Sequence, residues 1–193
     1  SDLKKEQERY DVPDIMSQVR GIDELESKEK LTTMQVNVGY GCNLSCTHCF
    51  LECGPKRTEM MSKETMDQCL DAFRNGPFEV MDITGGSPEM NPNLDYLIRE
   101  ASKSGQVMVR TNIVILNDEK YAPLIDVYAE NNVQIVCSLP YYNKKAVEKQ
   151  RGNNVFEPTL RILRKLNELG YGKDEGHKLT LVYNTDGPYL PPN

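Results

Sequence analysis

From Leu31 onward, two hydrophobic periods take turns along the chain. Met34, Val36 and Val38 alternate with polar neighbours, which predicts a strand ending at Gly39-Tyr40-Gly41. Met66, Cys69, Leu70 and Phe73 recur at the spacing of one helix face behind a Ser62 cap. Gly76 and Pro77 stop that helix before a strand over 78–84. Asn91 and Pro92 open a second helix with the stripe Leu94, Leu97, Ile98 and Ala101, closed by Gly105 before a strand over 107–111. Tyr121, Leu124, Ile125 and Tyr128 mark a third helix, and 133–139 a fourth strand. Phe156, Leu160, Leu163 and Leu166 mark a long helix ending at Gly170, and 179–183 a fifth strand.

Such alternation favours parallel pairing with right-handed crossovers, so the expected fold class is α/β with helices outside a curved or barrel-like sheet. Ligands should gather at the carboxyl ends of the strands. The conspicuous residues fall there: a cysteine loop after strand one, Gly85-Gly86-Ser87-Pro88-Glu89 after strand two, Asn112 after strand three, Ser138 near the end of strand four and Asn184 after strand five. The chain then ends in Gly187-Pro188-Tyr189-Leu190-Pro191-Pro192-Asn193, where a sheet wants another strand, so a barrel truncated after the fifth strand is expected.

Residues 1–30 carry nine acidic and six basic side chains and read as a polar leader; 31–193 read as the core domain. With 193 residues and 38% hydrophobic positions, the chain is long enough for one sizeable core. A net charge of −6 argues against nucleic-acid backbones as partners. No apolar run approaches the ~20 residues of a membrane span, and no signal-peptide pattern opens the chain, so a cytoplasmic protein is expected. Of six cysteines, four lie within the twelve residues 42–53, a crowding that suits metal binding better than disulfides.

Cys42-Asn43-Leu44-Ser45-Cys46-Thr47-His48-Cys49 has the form C-x3-C-x2-C. Soft thiolates at this density suit zinc or an iron–sulfur cluster. A structural zinc needs a closing ligand, which Cys53 or His48 can supply. A ferredoxin-type cluster also wants four cysteines, and Cys53 precedes Gly54-Pro55. Three thiolates on a four-iron cluster leave one iron open to a ligand.

This spacing, directly after the first strand of an α/β chain, resembles the signature of the radical S-adenosylmethionine (SAM) superfamily. Several further runs are similar to the arsenosugar-biosynthesis (ArsS-type) radical SAM/Cys-rich family. They are Gln35-Val36-Asn37-Val38, the cysteine run itself, Gly54-Pro55-Lys56-Arg57-Thr58-Glu59-Met60-Met61, Thr84-Gly85-Gly86-Ser87-Pro88-Glu89 and Ser138-Leu139-Pro140-Tyr141-Tyr142. Gln150-Arg151-Gly152, Leu169-Gly170-Tyr171-Gly172, Leu181-Val182-Tyr183-Asn184 and Leu190-Pro191-Pro192 extend the likeness over 34–192.

The resemblance implies a partial (β/α) barrel of the radical SAM type, in which Cys42, Cys46 and Cys49 hold a [4Fe-4S] cluster and SAM chelates its fourth iron. It places His48 beside adenine and lets the bare backbone of Gly85 and Gly86 meet the SAM ammonium. Ser87 stands where the superfamily has a glutamate, with Glu89 two residues on. Asn112, Ser138, Arg151 and Asn184 are the further SAM contacts it implies, the Arg151 fork being suited to a carboxylate. The implied activity is reductive cleavage of SAM to a 5′-deoxyadenosyl radical, transferred in the ArsS-type family to a trivalent methylated arsenical. Its partners are then a small-molecule substrate and an electron donor such as flavodoxin or ferredoxin. The family's Cys-rich C-terminal region has no counterpart after Asn193, so a shortened chain is expected.

Two further readings stay open on the residues alone. One keeps the cofactor and exchanges the substrate for a peptide or another metabolite; the other is a non-catalytic cysteine-ligated metal or electron-transfer module. Cys53 reads as a free thiol near the site, a spare ligand or a substrate-handling group. Cys69 and Cys137 sit at apolar positions of a helix and a strand and read as core residues. Two histidines, neither beside a Ser/Asp pair, give a hydrolase triad little to stand on.

Overall fold

Each of the first four strands is followed by a helical crossover that brings the chain back to begin the next strand, and strands so connected pair in parallel. The computed structural model describes residues 31–184; the leader expected over 1–30 and the run Leu190-Pro191-Pro192 lie outside the described residues. The elements are β1 (Thr33–Asn37), α1 (Lys63–Asn75), β2 (Val80–Thr84), a 3-10 turn (Pro88–Met90), α2 (Leu94–Ala101) and β3 (Gln106–Thr111). A second 3-10 turn (Val114–Asn117), α3 (Leu124–Glu130), β4 (Gln134–Ser138), α4 (Lys144–Arg151), α5 (Phe156–Glu168) and β5 (Leu179–Val182) follow.

The sheet runs β1-β2-β3-β4-β5 with every neighbouring pair parallel. Strands in chain order, with no reversal, have the order of a (β/α)-barrel wall rather than of a doubly wound sheet with a switch point. The α/β class expected from the alternation is the one observed.

Successive side chains of a strand face opposite sides. On one side Val36, Ile83, Val109, Ile135 and Cys137 join the core with Leu70, Phe73, Leu97, Tyr128, Ile162 and Leu166 from the helices. Each such side chain contributes about 1.5–3 kcal/mol on burial. Cys137 is fully buried in this core and Cys69 packs against it, as expected of both. On the other side of the sheet, Arg110, Val136, Ser138 and Val182 line a cavity instead.

Local chemistry sets the ends. Ser62 caps α1, its side chain accepting from Thr65 N–H at 3.2 Å. The helix expected to open at Asn91 begins at Leu94 instead. Asn91 accepts from Asn93 N–H at 2.9 Å and donates to the Val38 and Met61 carbonyls at 3.0 Å each, pinning the loop after β1. No helix is expected over 144–151, where Ala146 and Val147 are the only apolar residues. Yet α4 forms, because Asn143 caps it through Ala146 N–H at 3.0 Å and Val147, Gln150 and Arg151 are buried.

Candidate active site

The three-cysteine motif lies on a loop pinched shut at its base. Gly41 and Gly54 bridge there, with Cys42 N–H donating to the Gly54 carbonyl and Gly54 N–H to the Tyr40 carbonyl, 3.2 Å each. Inside the loop, Leu44 N–H points at Cys42 Sγ (3.4 Å) and Cys53 N–H at Cys49 Sγ (3.4 Å). Backbone donors aimed at cysteine sulfur stabilise a thiolate and tune a cluster held by it. Cys42 is buried, whereas Cys46 and Cys49 are partly open.

Beneath this loop the turn after β2 comes in unusually close. Gly86 N–H donates to the Gly39 carbonyl (2.9 Å) and Ser87 N–H to the Gly41 carbonyl (2.8 Å). A Cβ on Gly85 would come within 2.7 Å of Gly39 O, and one on Gly86 would strike Gly41 O. The glycine pair is thus required by backbone packing under the cysteine loop, in addition to facing the cavity, which both residues line.

Cys42, Cys46, Cys49, His48, Gly85, Gly86, Asn112, Ser138 and Arg151 all line one cavity of about 270 Å³, so nine of the expected site residues come together. Ser87 and Asn184 do not line it. Ser87 is buried behind Cys42, its Oγ lying 3.3 Å from Cys42 Sγ and donating to Asn43 Oδ1 at 2.8 Å. Asn112 Nδ2 closes this web, donating to Ser87 Oγ (2.8 Å) and Asn43 Oδ1 (3.0 Å) and approaching Cys42 Sγ at 3.7 Å. Asn184 is turned toward α4, exchanging two 3.2 Å hydrogen bonds with the Gln150 side chain. Glu89, which the sequence puts two residues after Ser87, is buried on the core side with its carboxylate accepting from Tyr128 Oη at 2.9 Å, so it does not reach the cavity.

Arg151 reaches the site because α4 carries it under β4, where Nη1 donates to the Ser138 carbonyl. Its Nε is buried without a hydrogen-bond partner among the described residues, as is Asn112 Oδ1. Burial pushes the Cys46 thiol up from its ordinary value, and the Arg151 guanidinium opposes that shift. Burial, with Cys49 alongside, holds the Cys53 thiol up at about 12. Sequence reasoning missed Arg110 and Cys53's neighbours Phe50 and Leu51 among the lining residues. Arg110 is signalled only as a polar position inside a strand, which ordinarily means exposure to solvent.

These residues fit an iron–sulfur cluster and a zwitterionic ligand. Four cysteines line one cavity, Cys53 beside the three of the motif; Cys42 and Cys49 receive backbone N–H groups, and an unpaired buried donor and acceptor stand beside them.

Comparison with known proteins agrees with the fold. Residues 36–185 match the model of the radical SAM superfamily. The antilisterial bacteriocin subtilosin biosynthesis protein AlbA of Bacillus subtilis is 28% identical over 134 residues, 67% of this chain and 29% of AlbA. Mycofactocin maturase MftC of Mycolicibacterium smegmatis is 26% identical over 133 residues, 68% of this chain and 33% of MftC. The crystal structure of Streptococcus suis SuiB bound to S-adenosylmethionine superposes with a TM-score of 0.61 at 20% identity, over 77% of this chain and 33% of SuiB. SuiB has also been solved with its precursor peptide SuiA. This chain spans about a third of the length of the curated relatives it matches. It belongs to the radical SAM superfamily, enzymes that use a [4Fe-4S] cluster and S-adenosylmethionine.

Proposed function

We propose that this chain is the catalytic core of a radical SAM enzyme that cleaves S-adenosylmethionine reductively and delivers the adenosyl group to a trivalent methylated arsenical. The observation that carries the reading is the cavity shared by Cys42, Cys46, Cys49, Gly85, Gly86, Asn112, Ser138 and Arg151. Cys42, Cys46 and Cys49 would hold the cluster, and the unpaired Arg151 Nε and Asn112 Oδ1 would meet the polar end of SAM. Together, cluster and SAM supply a 5′-deoxyadenosyl radical. The chain's own part is to hold that end of SAM, to keep Cys42 hydrogen-bonded through Ser87 and Asn112, and to screen the site from water. His48, exposed on the loop, offers a flat ring for adenine.

The arsenical substrate rests on the likeness of the runs around residues 54–61, 84–89, 138–142 and 150–152 to the ArsS-type family. An external electron donor such as flavodoxin or ferredoxin supplies the electron. All six cysteines are free of disulfides, which suits the reducing cytoplasm. No helix among the described residues is long and apolar enough to cross a membrane. A second reading replaces the arsenical with a peptide: two of the similar proteins are named for bacteriocin biosynthesis and mycofactocin maturation, and SuiB binds a precursor peptide. Anaerobically reconstituted protein given SAM, dithionite and dimethylarsenite decides between them. A 5′-deoxyadenosyl arsenical is expected; 5′-deoxyadenosine alone sends the substrate assignment back to the peptide class.

A further inference from the structure

Among the described residues the charged side chains lining the cavity are Arg110 and Arg151, with no Asp or Glu beside them in its lining. Arg151, beside Cys46 and under Ser138, is taken by the polar end of SAM in the reading above. Arg110 has no part in it.

Arg110 lies one residue before the end of β3 on the cavity side of the sheet. Its Nε donates to both carboxylate oxygens of Asp82 on β2, at 2.9 and 3.0 Å, and Asp82 Oδ2 also accepts from Gln35 Nε2 on β1 at 3.0 Å. The pair is lopsided. The Asp82 side chain is 4% exposed and that of Arg110 is 44% exposed, so the carboxylate is a buried anchor while the cation opens into the cavity. Neither terminal nitrogen of Arg110 has a hydrogen-bond partner among the described residues. With the Nε edge tied down, the remaining N–H groups form a fixed planar fork, which matches a carboxylate or another oxyanion. Asp82 and Gln35 each stand two residues before the last residue of their strands, which sets the anchor about 6–7 Å back from the strand ends that carry the cysteine loop.

We propose that Arg110, held across three strands by Asp82 and Gln35, binds an oxyanionic group of a small molecule held in the cavity beside SAM. This role rests on the radical SAM reading, in which SAM and substrate occupy the cavity together.

The test uses dimethylarsinate, a redox-stable oxyanion, titrated calorimetrically into the cluster-reconstituted chain with SAM present. Saturable binding is expected, weakened about tenfold or more by Arg110→Gln as charge-assisted hydrogen bonds are lost, with SAM affinity unchanged. Arg110→Gln alone leaves Asp82 buried without its counter-ion, so Asp82→Asn with Arg110→Gln is measured beside it. That double variant keeps a neutral pair in place and is expected to lose the probe to the same extent. Absence of saturable binding to the wild type, or equal affinity in wild type and double variant, overturns the role. So does a loss of SAM affinity in both variants with the probe unaffected, which would make Arg110 a SAM contact. Reductive SAM cleavage on the same samples tests the underlying reading separately. Probe binding that depends on Arg110, without any 5′-deoxyadenosine from the wild type, keeps the anion site and removes the radical SAM activity.

Discussion

Thr47, in the middle of the cysteine loop, donates both its backbone N–H and its hydroxyl to the carbonyl oxygen of Gln150 on α4, at 3.0 and 3.2 Å. The same helix holds the end of β5 through Gln150 and Asn184, and the end of β4 through Arg151 and the Ser138 carbonyl. One short, mostly polar helix therefore ties the cluster loop to two strand ends. Gln150→Ala keeps the backbone carbonyl but removes both side-chain bonds to Asn184. A loss of about 1–3 kcal/mol in urea unfolding is expected, with the iron content after reconstitution preserved. Loss of iron binding with unchanged stability would contradict this division of labour.

Gly86→Ala tests the close approach beneath the loop. Its Cβ would strike the Gly41 carbonyl oxygen, a backbone atom that cannot swing aside as a side-chain end can. Overpacking of this kind costs about 1–3 kcal/mol, and the displaced loop should incorporate less iron. Thermal melting and iron analysis check both; a variant with wild-type melting and iron content would show that the loop tolerates the methyl group.

Ser87→Ala separates two roles for a residue expected to touch SAM. Because Ser87 Oγ lies 3.3 Å from Cys42 Sγ and outside the cavity lining, its removal should leave SAM affinity intact. With a cluster bound, the single Ser87 hydroxyl proton can turn from Asn43 Oδ1 to the Cys42 sulfur; its removal should then lower the midpoint potential in an EPR-monitored titration. An unchanged potential with weakened SAM binding would put Ser87 back in contact with the cosubstrate.

Glu89 makes stability depend on pH. Burial raises its carboxyl above the ordinary range, opposed by hydrogen bonds from Thr111 and Tyr128, and Cys137 is the other titratable group near it. A carboxyl with a raised folded-state value contributes its stability in full below the unfolded value and loses it as pH rises through the folded one. The wild type should therefore gain more stability than Glu89→Gln on going from about pH 8 to about pH 5. Denaturant unfolding at the two values checks this, and parallel changes in both proteins would contradict it.

Much of this was legible in the sequence because it depends on strong local signals. Val36, Ile83, Val109 and Ile135 belong to runs whose period alone marks strands, and three cysteines at C-x3-C-x2-C leave few chemistries open. The α4 helix was not legible, since its stability comes from a cap at Asn143 and burial of Val147 and Arg151 rather than from an apolar stripe. Ser87 and Glu89 are neighbours in the chain, but the 3-10 turn between them sends Ser87 toward Cys42 and Glu89 toward Tyr128. Arg110 is an ordinary polar strand position until the sheet brings Asp82 and Gln35 beside it.

The most direct measurement is reductive SAM cleavage by the anaerobically reconstituted chain, comparing wild type with Cys46→Ala. If Cys42, Cys46 and Cys49 hold a cluster with one iron open to SAM, dithionite gives 5′-deoxyadenosine from the wild type and essentially none from the variant. Equal yields from the two proteins would contradict the account.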